Sequence, residues 1–97
     1  MDTRLFMIDA SGFTTKREAH AVMRDVFLGY EYYGSNLDAL YDVLTSIRRR
    51  AEIRVHGLDA SKAQIGDYAE RLRALFLDAA AHNPHLTFVF TEPSDEA

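Results

Sequence analysis

Three short stretches of strand-forming residues, Leu5-Phe6-Met7-Ile8, Ile53 to Val55 and Leu86 to Phe90, stand too far apart to be joined as hairpins, and the intervals between them carry helical periodicity. Strands connected through helices pair in parallel, with right-handed crossovers. The chain is therefore predicted to be an α/β protein, a small parallel three-stranded sheet in the order β-α-α-β-α-α-β covered by helices. Its 97 residues, 47% of them apolar, suffice for one hydrophobic core and not for two. The expected division is a single domain over residues 1–91 and an acidic tail over 92–97 that does not pack.

The individual elements have recognisable boundaries. The continuous apolar run at Leu5 to Ile8 reads as a strand buried on both faces. Thr15 and Glu18 stand at capping-box spacing before Ala19, Val22, Met23 and Val26, with Gly29 as a stop. Tyr30 to Gly34 reads as a turn that presents large side chains, and Asn36 as the cap of a second helix running to about Ser46. Leu37, Leu40, Leu44 and Ile47 form its core-facing stripe. Ile53 and Val55 alternate with Glu52, Arg54 and His56, as in a strand with one wetter side. Leu58 to Ile65 is a short helical candidate broken at Gly66. Asp67 and Glu70 then open a helix with Leu72, Leu75, Phe76 and Ala79 on one face, and Asn83-Pro84 ends it.

Composition removes several classes of function. Without cysteine there is no disulfide framework, thiolate nucleophile or cysteine metal site. No apolar run approaches the ~20 residues of a membrane-spanning helix. The opening Met1-Asp2-Thr3-Arg4 lacks the character of a signal peptide, so a cytoplasmic protein is expected. A net charge of −4 disfavours an extended nucleic-acid backbone as the main ligand and favours a basic partner.

The second helix carries more charge than its fold requires. At about 100° per residue, Asp38, Tyr41, Asp42 and Thr45 share a face distinct from the leucine stripe. Asp38 and Asp42, four apart with no Lys or Arg at helical contact spacing, cost an isolated helix ~0.2–0.5 kcal/mol. Four of the five tyrosines, Tyr30, Tyr32, Tyr33 and Tyr41, crowd into this helix and the turn before it, and tyrosine is enriched at protein interfaces. Each residue alone has a plainer reading. Asp38 lies in the first turn, where the helix dipole favours any carboxylate, and Asp42 read singly is a solvated charge.

The run Glu31-Tyr32-Tyr33-Gly34-Ser35-Asn36-Leu37-Asp38-Ala39-Leu40-Tyr41-Asp42-Val43-Leu44-Thr45 closely resembles the signature of the barstar family, with weaker similarity through Leu75-Phe76 and the Leu86-Thr87 strand. The resemblance implies a non-catalytic, cofactor-free, antitoxin-like inhibitor, monomeric when free, that closes the active site of a small basic extracellular-type ribonuclease. By that resemblance Tyr32, Gly34, Asn36, Leu37, Asp38, Tyr41, Asp42 and Thr45 belong to the contact surface. Asp42 matches its most important acid, and Asp78 stands where a glutamate contact is found. Tyr41 replaces the usual tryptophan, Ile47 an aromatic and His82 a second glutamate, so the acidic surface is smaller, and Arg48-Arg49-Arg50 follows the helix directly. The alternative reading is a binding module of this fold whose partner is not a ribonuclease.

An enzyme reading rests on His56, His82, His85 and Asp78 as a general acid and base set. No nucleophile elbow, phosphate-cradling glycine loop or His-Glu-x-x-His helix accompanies them. His82 and His85 lack the further ligands a metal needs. His20 is expected to face solvent from the first helix.

Overall fold

The computed structural model of the chain describes residues 2–28 and 36–93. Its elements are β1 (Arg4–Asp9), α1 (Lys16–Val26), α2 (Leu37–Ser46), β2 (Ala51–His56), α3 (Lys62–Ile65), α4 (Tyr68–His82) and β3 (Leu86–Thr91), with a 3-10 turn at Ala10–Gly12. The predicted α/β class and element order are those observed. All three strands are parallel, in the order β1-β2-β3. Phe6, Ile53 and Phe88 lie in one row across the sheet, and Ile8, Val55 and Phe90 in the next.

Sequential strand order explains which face is covered. Two crossovers of the same hand that advance in the same direction lay both helix pairs on one side of the sheet. Phe6 packs on Phe27 beyond α1 (5.1 Å between ring centroids), and Phe76 of α4 stacks on Phe88 at 5.0 Å. On the other face Leu5 remains 54% and Met7 60% exposed. The expectation that β1 is buried on both faces is therefore corrected: its apolar run alternates, with only Phe6 and Ile8 in the core.

Local chemistry fixes the helix ends. The Thr15 hydroxyl accepts from the Glu18 N–H at 3.0 Å, and the Asn36 Oδ1 accepts from the Ala39 N–H at 2.8 Å. Leu40, Val43, Leu44 and Ile47 are buried from α2, while Leu37 is half-buried. The helical candidate at Leu58 to Ile65 shrinks to the single turn Lys62–Ile65, and Gly66 breaks it with φ of 60°. Asp67 precedes α4 in helical conformation and makes no side-chain cap, contrary to the expected role. Glu92, expected to begin the tail, accepts from the Asp59 and Ala60 N–H groups at 3.1 and 3.3 Å. Gly29 lies outside the described residues.

His20 is the clearest reversal. It is fully buried rather than solvent-facing, and its Nε2 stands 2.6 Å from the Tyr68 hydroxyl. Met23, one turn on, belongs to the same core face, so the position is set by packing and the imidazole is satisfied by a residue 48 positions away. Burial first, and then the Arg24 charge, lower its pKa below the ordinary 6.5. The unfolded chain therefore takes up this proton first as pH falls through about 6.5, and the native state loses stability from there down to its own lower pKa. Urea midpoints are expected to fall between pH 7.5 and 5.5, and His20→Gln to remove part of that slope; an unchanged slope in the variant would exclude His20 as the cause.

Asn83 joins α2 and α4. Its buried side chain donates from Nδ2 to the carbonyls of Leu44 and Ile47, both at 2.9 Å, and accepts from the His85 N–H at 3.0 Å. The end of α4 thereby supplies a donor to the Ile47 carbonyl and a second one to the Leu44 carbonyl, which already accepts from the Ile47 N–H at 3.4 Å. Asn83→Ala is expected to destabilise the fold by about 1–2 kcal/mol, measured by urea unfolding, because the Ile47 carbonyl loses its side-chain donor and the His85 N–H its acceptor. Loss of less than half that amount would mean that water substitutes for the amide.

Candidate docking face on α2 and α4

Capping and core packing orient α2, and its polar face follows. With Leu40, Val43 and Leu44 turned inward, Asp38 and Asp42 are exposed. Among the described residues neither carboxylate has an ion pair or a hydrogen-bonding side chain. Asp38 gains from the helix dipole in the first turn, but among the described residues the pair has no counter-charge, and both carboxylates are exposed to cationic groups from outside.

Between α2 and α4 runs a groove of ≈480 Å³ lined by Leu37, Asp38, Tyr41, Ala74, Leu75 and Asp78. Tyr41 is half-buried and packs against the core. Burial first, then the charge and hydrogen-bonding reach of the neighbouring Asp78 carboxylate, raise the phenol above its ordinary pKa. The phenol therefore stays protonated at neutral pH, a donor beside an acceptor. One turn on, the His82 Nδ1 lies 2.9 Å from the Asp78 carbonyl oxygen and 3.5 Å from its Oδ1.

The remaining positions divide by what their side chains already do. Asn36 is exposed, but its side-chain oxygen is committed to the cap. The Thr45 hydroxyl donates back to the Tyr41 carbonyl at 2.9 Å, leaving mainly its methyl to a partner. Tyr32 and Gly34, with the whole turn around Tyr30 to Gly34, lie outside the described residues. Ala74 and Leu75 were not anticipated as groove residues. The available signal was the spacing from Leu75 to Asp78, three apart and hence neighbours on one helix face.

His56, His82 and His85 stand in different surroundings. His82 serves Asp78, His56 Nδ1 meets the Thr91 hydroxyl at 2.9 Å, and His85 lies in a recess beside Arg48 to Arg50. Among the described residues no group of three or more His, Asp or Glu side chains could hold a metal, and no helix is long and apolar enough to cross a membrane.

No curated protein matches the chain significantly. The profile of the family described as Barstar (barnase inhibitor) matches residues 3–92, which takes in every strand and helix, the acidic face of α2 and Asp78. With nearly its whole length matched and its three parallel strands and four helices in the expected order, the chain belongs to the barstar family.

Proposed function

We propose that this protein inhibits a small basic ribonuclease by seating the exposed face of α2 over its active site, with Asp42 in the position of an RNA phosphate. The supporting observation is the pair Asp38 and Asp42, exposed on a capped, well-packed helix and without internal cations among the described residues. A ribonuclease cleft is lined by Lys, Arg and His that stabilise phosphate charge, and a preorganised carboxylate takes over those hydrogen bonds. Residues 1–91 act as the inhibitor domain, in the cytoplasm and as a monomer when free. Tyr32, Gly34, Asn36, Leu37, Tyr41 and Thr45 complete the contact around the two acids, and Asp78 supplies a third carboxylate across the groove.

Inhibition of RNA cleavage across a panel of small basic ribonucleases tests this reading, with stopped-flow association measured against salt. One member of the panel should be inhibited stoichiometrically, with an association rate that falls as ionic strength rises while dissociation changes little. An association rate indifferent to salt would count against electrostatic capture. Tight binding to a protein without nuclease activity would transfer the fold to a different partner.

A further inference from the structure

Arg48-Arg49-Arg50 takes no part in the groove between α2 and α4, yet no other run of three like charges occurs in the chain. Its position is fixed by the first rungs of the sheet. The Arg4 N–H donates to the Arg50 carbonyl at 3.0 Å, and the Ala51 N–H donates to the His85 carbonyl at 2.9 Å. Arg50 is thus pinned where all three parallel strands begin, and Asn83 fixes His85 beside it.

At this end of the sheet Arg48, Arg49, Arg50 and His85 gather around a recess of ≈420 Å³, with Asp2 as its acidic wall. Among the described residues the three guanidinium groups form no ion pair. The three arginines outnumber the single acid that lines the recess, Asp2, and the surplus positive charge suits an external anion. A concave site of this size suits a small ligand better than a flat protein surface. Guanidinium forks match phosphate oxygens in pairs. Asp2 is an acceptor only; it repels phosphate but receives hydrogen bonds from sugar hydroxyls.

We propose that the recess formed by Arg48, Arg49, Arg50, His85 and Asp2 binds a nucleoside phosphate, with the arginines on the phosphate and Asp2 on the ribose. The chain's net charge of −4 opposes a long RNA strand and leaves a single nucleotide as the occupant.

Calorimetry and amide chemical-shift titration of the full chain with ADP, inorganic phosphate, adenosine and a short single-stranded RNA test the assignment. ADP is expected to bind saturably, with shifts centred on Arg48 to Arg50 and His85, and adenosine not to bind. Arg48→Ala with Arg49→Ala should weaken ADP about tenfold or more, and Arg49→Lys, which keeps the charge but loses the fork, by less. Asp2→Ala should tighten inorganic phosphate while loosening ADP, a change of opposite sign that no unfolding effect produces. Asp42→Ala should leave ADP binding unchanged, which separates this site from the ribonuclease face. Failure of ADP to saturate, or equal affinity in the double variant with its circular dichroism intact, overturns the proposal. It is also overturned if RNA binds far more tightly than ADP, or if the arginine variants lose a ribonuclease and not the nucleotide. The first result makes the arginines a backbone-tracking surface and the second sets them against acidic groups of the ribonuclease.

Discussion

Replacing Asp42 by Ala is expected to weaken binding to an inhibited ribonuclease by about 3 kcal/mol, on the order of a hundredfold, while the free protein melts at an unchanged or slightly higher temperature. The two halves of this expectation have separate causes. In the complex, the carboxylate removed accepts hydrogen bonds from cationic groups of a desolvated cleft, and its loss leaves those donors buried without an acceptor. In the free protein Asp42 is exposed, with no cation among the described residues and Asp38 one turn away, so only a mild repulsion is relieved. Titration calorimetry and thermal melts of the same variant read both. A severely lowered melting temperature would make Asp42 part of the scaffold and remove the basis for assigning it to the interface.

Phe76→Ala is expected to cost about 3–5 kcal/mol of folding stability, a large share of the roughly 5–15 kcal/mol that holds a domain of this kind together. Phe76 is fully buried and stacks on Phe88 at 5.0 Å, with Phe90 at 6.3 Å, so truncation opens a cavity between α4 and β3. Equilibrium urea unfolding measures the loss, and Phe76→Leu, which fills part of the space, should lose less. A cost near 1 kcal/mol would mean that the helix settles onto the sheet and closes the gap. The site makes this informative: Asp78 lies two residues beyond Phe76, on the opposite, exposed side of the same helix, so a shift of α4 would change the groove as well.

The acidic helix was legible because its determinants are local. Asn36 caps it, and the spacing of Leu40, Leu44 and Ile47 fixes the buried side, leaving Asp38 and Asp42 no orientation but outward. The placement of Tyr41 and Asp78 along one groove was not legible, because it depends on how α2 and α4, 37 positions apart at these residues, lie against each other. His20 failed for a related reason. A histidine beside core positions reads as solvated unless its partner is known, and Tyr68 comes from another helix.

By itself the sequence determined the order of strands and helices, the parallel connection forced by helical crossovers, and the carboxylates of α2 on a face that the core does not claim. Only the tertiary structure decided that sequential strand order leaves one side of the sheet open, which turned Leu5 and Met7 outward. It also decided that Asn83 closes the end of α2 and that three arginines meet His85 where the strands begin. The reason is one of range: periodicity and capping act within a few residues along the chain, whereas the partner of a buried polar group is chosen by how separate elements pack.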